Sequence, residues 1–248
     1  MQVETLWRYP VKSLGGERLA EATLTPDGVA GDRVVHVRRA SGVLTGRTRH
    51  GLVTVPASTG ADGEPVVAGY PWRSPEALEL VRRHAGAEAT LARHTGPERF
   101  DIANLLLVTD AELAAFTRVH GGPLDVRRVR PNVVIGGFPA DALDGGLEDV
   151  LDGAPGQVLA VGEALVGVLQ RRGRCVVTTI DPDSGRLDLD VHRTIRRELG
   201  NLLGLDCWVI RSGVVRVGDP VEWAGPLGRG VRPGHVGGWI VGARYDVG

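Results

Sequence analysis

The first hundred residues alternate between short apolar runs, many of them β-branched, and turns rich in glycine, proline and aspartate. This pattern is typical of short β-strands joined by tight turns. The turn signals are Gly15-Gly16, Pro26-Asp27-Gly28 and Asp62-Gly63. The predicted strands cover residues 5–11, 18–24, 33–38, 52–55 and 65–68, with a further strand near 89–93. Their number and spacing predict a small β-barrel or curled sheet.

Helices are predicted where start signals precede apolar residues at helical spacing. Ser74-Pro75 offers an N-cap and a proline at the first helical position, and Thr109-Asp110 offers a second cap. A third helix is indicated by apolar residues that recur on one face from Val191 onwards. The predicted helices cover residues 75–85, 111–119 and 191–203.

The second half also contains short apolar runs, which predict further strands. These runs cover residues 105–108, 133–135, 158–161, 164–169, 176–180, 207–210 and 214–217. From Gly225 the chain is rich in Gly, Pro and Arg, with little apolar pattern outside residues 239–241, so a weakly ordered tail is expected there. No internal repeat and no long strand-helix-strand alternation is present, which argues against a doubly wound fold.

Composition places the chain among ordinary globular proteins. With 248 residues, 42% hydrophobic and 24% charged, it can form one large domain or two small ones. A net charge of -1 argues against a nucleic-acid partner. No run approaches the roughly 18 apolar residues of a membrane span, and Met1 is not followed by a signal segment. We therefore expect no membrane association and a cytoplasmic location.

Several motifs with a known chemical use do not occur. The chain lacks G-x-G-x-x-G, G-x-x-x-x-G-K-[ST] and H-E-x-x-H, so it offers no fingerprint for a nicotinamide, a P-loop nucleotide or a zincin metal. Its seven histidines show no metal-like pairing, and a histidine metal site is not expected. Two cysteines are too few for an iron-sulfur cluster.

Cys175 lies in the strongest local feature of the sequence, Arg171-Arg172-Gly173-Arg174-Cys175 followed by Val-Val-Thr-Thr-Ile-Asp-Pro-Asp-Ser-Gly. Nearby positive charge favours a thiolate, which is a nucleophile and a soft metal ligand. The alternative is a small buried cysteine beside a solvated arginine edge, but buried structural cysteines rarely adjoin a block of charges. Cys207 is predicted instead to be a core residue of a strand.

Two further segments offer anion-binding groups. Arg130-Pro131-Asn132 places a guanidinium and an amide before a strand, and Tyr9-Pro10-Val11-Lys12-Ser13 supplies the chain's single lysine and a hydroxyl. Arg33 and Arg47 are available from neighbouring strands. Ordinary loop chemistry remains an alternative for each segment. Together with the thiol, the segments supply what a phosphorylated, sulfur-ligated metal cofactor requires.

The Cys175 segment closely resembles the signature of the MOSC domain, in which Arg-Cys is followed by Thr-Thr, a hydrophobic residue, Asp-Pro and a glycine. Four other motifs match that family in order, and Gly218-Asp219-Pro220-Val221 matches the usual end of the domain. Leu14 and Val35 depart from residues common in relatives, but neither is a proposed ligand. The matching motifs are Tyr9-Pro10-Val11-Lys12-Ser13, Gly31-Asp32-Arg33, Leu44-Thr45-Gly46-Arg47 and Arg130-Pro131-Asn132.

The resemblance implies a β-rich α+β protein with three parts. Residues 1–103 would form an N-terminal β-barrel-like domain, residues 104–224 a MOSC β-barrel domain with peripheral helices, and residues 225–248 the tail. It also implies a molybdenum cofactor (Mo-molybdopterin), with Cys175 as metal ligand and Asp181 orienting the backbone or serving substrate protonation. Pyridoxal phosphate is not expected. The cofactor-binding residues implied are Lys12, Ser13, Arg33, Arg47, Arg130, Asn132, Arg174 and Thr178.

Members with this layout include the mitochondrial amidoxime reducing component, so the resemblance implies an oxidoreductase. It would reduce amidoximes, hydroxylamines or N-hydroxylated bases by oxygen-atom transfer to molybdenum. Because the chain has no site for its own electron carrier, a ferredoxin, flavodoxin or flavin reductase is expected as donor. Two alternatives are a non-catalytic molybdenum cofactor carrier and a sulfur-handling domain that carries a persulfide on Cys175.

Overall fold

A computed structural model describes residues 1–94, 99–139, 157–228 and 231–233. The described strands in chain order are β1 (Gln2–Arg8), β2 (Glu17–Leu19), β3 (Glu21–Thr25), β4 (Gly28–Val29), β5 (Val35–Arg39), β6 (Gly42–Leu44), β7 (Ala57–Thr59), β8 (Pro65–Val67), β9 (Tyr70–Pro71), β10 (Thr90–Arg93), β11 (Leu105–Thr109), β12 (Val133–Gly136), β13 (Gln157–Val161), β14 (Ala164–Gly173), β15 (Leu202–Arg211), β16 (Gly213–Arg216) and β17 (Val221–Pro226). The three α-helices are α1 (Pro75–Ala85), α2 (Asp110–His120) and α3 (Leu189–Glu198). The predicted β-rich α+β class is confirmed.

Eight strands form the largest sheet, in the order β17-β13-β14-β15-β11-β12-β1-β2. Only β11 and β12 are parallel in it, joined by α2, and the other neighbours are antiparallel. Its apolar face carries a core of fully buried aliphatic side chains from both ends of the sequence, including Leu6, Leu107 and Leu159.

Strands from the two halves of the chain pair directly with each other. Val3 of β1 lies opposite Ile135 of β12. β3 also pairs with β16 in a separate three-stranded sheet, where Val215 lies opposite Ala22. Two further small sheets, β10-β5-β6 and β7-β8-β9, enclose a second core with α1. The two halves are therefore interlocked by backbone hydrogen bonds.

Helix starts agree with the capping signals. The Ser74 hydroxyl accepts a hydrogen bond from the Ala77 N–H, and α1 has the predicted bounds. Thr109 and Glu112 form a capping box at the start of α2. The other carboxylate oxygen of Glu112 accepts the Gly204 N–H at 2.7 Å, which ties α2 to β15.

The third predicted helix is too long at its C-terminal end. α3 ends at Glu198, because Gly200 and Asn201 adopt left-handed φ values of 61° and 65° and the following residues enter β15. The apolar residues after that turn therefore belong to a strand, although their spacing also suits a helix.

Two predicted strands are 3-10 helices. Residues 52–55 belong mostly to a 3-10 helix at His50–Thr54, and residues 176–180 mostly to one at Val176–Thr179. In the second, the Thr179 hydroxyl donates to the Val176 carbonyl at 2.7 Å. Side-chain to backbone bonds of this kind favour a turn over the strand that β-branched residues otherwise prefer.

The first predicted strand, 5–11, ends early. β1 stops at Arg8, and the Tyr9 N–H then donates to the Asp32 carboxylate at 2.7 Å instead of continuing a sheet. Pro10 has no N–H for a ladder. The residues that follow turn towards β5, where the Lys12 N–H donates to the Val35 carbonyl.

The predicted weakly ordered tail lies largely outside the described residues, including 239–241. The part described before residue 229 is strand as far as Pro226. No helix in the described parts of the chain is long and apolar enough to cross a membrane.

Candidate functional site

A cleft lies where loops of the N-terminal half meet the end of β14 and the chain before β12. It encloses about 960 Å³ of space, part of it open to solvent. Asp181 is not among its lining residues. Nine of the ten predicted site residues do line it, namely Lys12, Ser13, Arg33, Arg47, Arg130, Asn132, Arg174, Cys175 and Thr178.

Cys175 stands at the point where β14 ends and a 3-10 helix begins. Its backbone is extended, and it is the N-terminal flanking residue of that helix. The Thr178 hydroxyl donates to the Cys175 carbonyl at 3.0 Å, and the Thr178 N–H donates to the same oxygen. These two bonds fix the backbone that carries the thiol. The thiol is free and partly accessible.

Cys207 has the opposite environment. It is fully buried in β15, as predicted, and burial raises the pKa of its thiol well above the ordinary value. The two cysteines therefore differ in access, and only Cys175 faces the cleft.

Two arginines beside Cys175 are anchored within the protein. Arg172 donates to the Asp206 carboxylate at 3.1 Å, and Arg174 donates to the Val129 carbonyl at 2.6 Å. Burial lowers the pKa of Arg174 to about 10, and Arg172 lowers it further in the same direction, so the guanidinium is still charged at neutral pH. Asp206 is almost fully buried, and burial raises its pKa against the opposing effect of Arg172.

Lys12 and Arg47 come from different loops and meet at one carboxylate. The Lys12 Nζ lies 3.0 Å from one oxygen of Asp101, and an Arg47 nitrogen lies 3.1 Å from the other. Burial on its own would raise the pKa of Asp101, but Lys12 and Arg47 outweigh it and the pKa lies below the ordinary value. Asp101 is therefore ionised at neutral pH.

Asn132 and Asp32 connect the two halves behind the cleft. The Asn132 amide donates to the Asp32 carboxylate at 3.1 Å, and its oxygen accepts the Leu106 N–H at 3.2 Å. Asp32 also forms an ion pair with Arg33 and accepts the Tyr9 N–H. Both Asn132 and Asp32 are buried. The polar groups of Asn132 are thus used to hold the lining in place.

Arg130 has no counter-ion among the described residues. Its guanidinium carbon lies 4.2 Å from the centre of the Tyr9 ring, but the group forms no ion pair or side-chain hydrogen bond with any described residue. Its Nη2 atom is buried without a partner. Burial lowers the pKa of Arg130 to about 10. An unpaired buried donor is costly, so this residue is the clearest indication that the cleft receives an anion.

The backbone of the cleft also adopts uncommon conformations. Five residues other than glycine have left-handed φ in the described chain, and three of them line the cleft: Ser13 at 73°, Arg33 at 52° and Arg130 at 55°. Such conformations cost free energy and cluster at functional sites. Sequence patterns gave no indication of them.

The lining as a whole is strongly basic. It holds eight cationic side chains and two carboxylates, Asp101 and Asp206. This concentration of guanidinium groups suits an anionic ligand with oxygen atoms that can accept paired hydrogen bonds. A metal held by protein groups alone is not indicated, because the described residues contain no group of three or more His, Cys, Asp or Glu that could hold one.

Asp181 is held by the turn that follows the 3-10 helix at Val176–Thr179. Its carboxylate accepts bonds from the Ser184 hydroxyl at 2.7 Å and from Arg128 at 2.9 Å. The Ser184 bonds are the main cause that lowers the pKa of Asp181. A carboxyl with a lowered pKa is a poor proton donor at neutral pH, and these contacts agree with the backbone-orienting alternative for Asp181.

Sequence reasoning missed several lining residues. Asp101, Arg99 and Arg128 all contribute charge to the cleft. Arg128 stands in the same basic run as Arg130, which is a signal in hindsight, but its contact with Asp181 needs the folded chain. Asp101 is one of two acids in the connection between β10 and β11, and no local pattern distinguishes it.

Residues 90–222 match the family model of the MOSC domain, and residues 1–106 match that of the MOSC N-terminal beta barrel domain. The chain belongs to the MOSC domain family. The resemblance in the sequence motifs is thereby confirmed.

This MOSC protein is similar to mitochondrial amidoxime reducing components. It is 27% identical to mitochondrial amidoxime reducing component 2 of Macaca fascicularis, over 88% of this chain and 82% of that protein. It is 34% identical to the human protein of the same name, over 59% of this chain and 47% of that one. Among solved structures, YuaD of Bacillus subtilis has a TM-score of 0.49 and 14% identity, covering 89% of this chain and 93% of that one.

Proposed function

We propose that the cleft binds a molybdenum cofactor and that the protein reduces N-hydroxylated compounds such as amidoximes. The observation that carries this proposal is the position of Arg130, whose buried Nη2 atom has no partner among the described residues, in the same basic cleft as the accessible thiol of Cys175. The names of the relatives, amidoxime reducing components, support the substrate class.

The donor set suits a metal that brings most of its own ligands. Cys175 is the single thiol in the cleft, and thiolate is a preferred ligand of soft metals. One protein ligand is too few for a dedicated metal site. A pterin that carries its own sulfur ligands and a phosphate would use both the thiol and the cations.

Each part of the lining then has a task. Cys175 would ligate the metal, and Thr178 would hold the Cys175 backbone through the bonds to its carbonyl. Arg130, Lys12 and Arg47 would bind the anionic groups of the cofactor. Ser13 and Arg33 lie in the same lining and would add hydrogen-bond donors. Asn132 would hold the lining in position through its hydrogen bond to Asp32.

The chemistry requires two electrons and two protons. The N–O bond of the substrate breaks, the nitrogen is left as the reduced amine or amidine, and the oxygen leaves as water. When bound, the cofactor supplies the two-electron step. We propose a separate ferredoxin, flavodoxin or flavin reductase as the electron donor, because these 248 residues contain too few cysteines for an iron-sulfur cluster and no dinucleotide fingerprint.

Metal analysis tests the first part of the proposal. Protein made in cells that produce the cofactor should contain close to one molybdenum per chain, and Cys175→Ala should contain at least tenfold less. Cys207→Ala is the matched control. It makes the same substitution at the other cysteine, which lies in the core, and this variant should keep its molybdenum. Molybdenum-free wild-type protein with sulfane sulfur on Cys175 would overturn the proposal in favour of a persulfide carrier.

An N-reduction assay tests the second part. Molybdenum-loaded protein should convert benzamidoxime to benzamidine with dithionite-reduced viologen as electron donor, and should not do so with NADH alone. Loaded protein without turnover in the viologen assay would refute the reductase and leave a cofactor carrier.

A further inference from the structure

Asp101 occupies the place in the cleft where an anionic ligand group would be expected. Its two carboxylate oxygens contact two different cations, Lys12 at 3.0 Å and Arg47 at 3.1 Å. The Lys12 side chain is mostly buried, whereas those of Asp101 and Arg47 are about one third exposed. The ion pair can therefore be reached from solvent.

The three residues come from separate parts of the chain. Lys12 follows β1, Arg47 follows β6, and Asp101 precedes β11. No described backbone hydrogen bond joins the Lys12 loop to the Arg47 loop directly at these residues. The carboxylate thus bridges the two cations, in the same way that a phosphate oxygen pair would.

We infer that Asp101 is an internal counter-ion that competes with ligand anions for Lys12 and Arg47 and so determines which anions the cleft accepts. The inference rests on the proposed function, because it assumes that the cleft binds an anionic group of the cofactor. An entering anion must either displace the carboxylate or share the two cations with a like charge. Both are unfavourable for a small anion with no other contacts.

Arg130 gives a larger ligand an advantage. Its guanidinium has no counter-ion among the described residues, so an anion that reaches it gains a contact without breaking one. Inorganic phosphate at Lys12 and Arg47 would have to overcome Asp101. A ligand that also contacts Arg130 and Cys175 has binding free energy available for that displacement. Asp101 therefore selects against free phosphate, which is abundant in cells.

If Asp101 positions the cations instead of competing for them, its removal should change anion affinity in the opposite direction. If the carboxylate only holds Lys12 and Arg47 in position for the ligand, its removal should weaken anion binding. If it competes, its removal should strengthen anion binding. A single measurement on cofactor-free protein separates the two.

The experiment is a calorimetric titration of cofactor-free protein with inorganic phosphate at low ionic strength. Asp101→Asn should bind phosphate at least tenfold more tightly than wild type, and adding Lys12→Met should abolish the gain. Glu64→Gln is the matched control, since it makes the same change in net charge at an ion pair of similar exposure outside the cleft. It should bind phosphate as wild type does.

Equal or weaker phosphate binding by Asp101→Asn than by wild type would overturn the inference, as would an equal gain in Glu64→Gln. Asp101→Ser is measured in parallel, and thermal unfolding without phosphate establishes that the variants fold. Failure of the proposed function has a separate signature, because wild-type protein would then contain no molybdenum whatever the phosphate titration gives.

Discussion

Replacing Arg130 by methionine should leave the cofactor-free protein at least as stable as wild type while it reduces cofactor binding. Methionine keeps an unbranched side chain and removes the guanidinium, which lies over the Tyr9 ring and whose Nη2 atom has no partner among the described residues. Most substitutions of a partly buried arginine are expected to destabilise a protein, so a substitution that increases the free energy of unfolding would be unusual.

The magnitude follows from the pKa of Arg130. Burial lowers it from 12.5 to about 10, and at about 1.4 kcal/mol for each pH unit this corresponds to roughly 3 kcal/mol. Because the folded-state pKa is lowered, this cost is fully present below pH 10 and is relieved only as the pH rises towards 12.5. Lost stacking on Tyr9 offsets roughly 1 to 2 kcal/mol of the gain. We therefore expect a net gain of about 1 to 2 kcal/mol.

Urea unfolding of cofactor-free protein at pH 7 measures the first effect, and the molybdenum content of protein from cofactor-producing cells measures the second. Arg47→Met is the comparison, because Arg47 already has a carboxylate partner and its removal should give no gain. A loss of more than about 1 kcal/mol in Arg130→Met would refute the reasoning, since the guanidinium would then have a stabilising role in the empty cleft. Unchanged molybdenum content would refute its role as an anion anchor.

Three other perturbations have defined outcomes. Cys175→Ala should abolish N-reduction with little change in unfolding free energy, whereas Cys207→Ala should retain activity and lose about 1 to 2 kcal/mol on the usual scale of core truncations; equal loss of activity in both would contradict the contrast. Gly16→Ala should destabilise by about 1 to 3 kcal/mol, because its Cβ would overlap the Tyr9 ring and lie 2.8 Å from the Arg8 carbonyl oxygen, and an unchanged urea midpoint would show that both groups can move. Burial, and to a lesser extent the neighbouring His36 imidazole, lowers the pKa of His94 to about 3. As the pH falls, the unfolded chain therefore takes up a proton before the folded protein does, and the free energy of unfolding should fall by roughly 1 to 2 kcal/mol between pH 6.5 and 5. His94→Gln should flatten that part of a plot of urea midpoint against pH, and an unchanged slope in this variant would assign the pH dependence to another group.

Local signals predicted the elements that depend on local bonds. The start of α1 follows from the serine cap and the proline beside it, and its end follows from the glycine directly after the last helical residue. Seven of the eight strands of the large sheet overlap predicted strands, because apolar runs of this length are recognisable without knowing their partners, but β17 was not predicted. Which strands pair was not predictable, since the pairing of β1 with β12 joins residues more than a hundred positions apart.

The failures concern places where one local signal overrides another. Residues 176–180 are β-branched, yet the hydroxyls of Thr178 and Thr179 turn the backbone into a 3-10 helix. The apolar spacing after Leu199 suits a helix, but left-handed residues at Gly200 and Asn201 end α3.

The candidate site was partly accessible to sequence reasoning. Nine residues chosen from motifs line one cleft, because the motifs place cations, a hydroxyl, an amide and a thiol in separate loops that the fold brings together. The counter-ions of these cations could not be predicted from the sequence. Nothing local distinguishes Asp101, which binds two of the cations, and nothing local indicates that Arg130 has none.

The interlocking of the two halves has a consequence for biosynthesis. During translation β3 and β4 emerge early, but their sheet is complete only when β16, about 190 residues later, has left the ribosome. The same holds for β1, which must wait for β12. The cleft can therefore form only after β15 has left the ribosome, because its lining extends from Lys12 to Asp206, and the proposed cofactor could bind only after that point. Fragments that end before β16 would expose unpaired strand edges, which makes them substrates for chaperones and proteases.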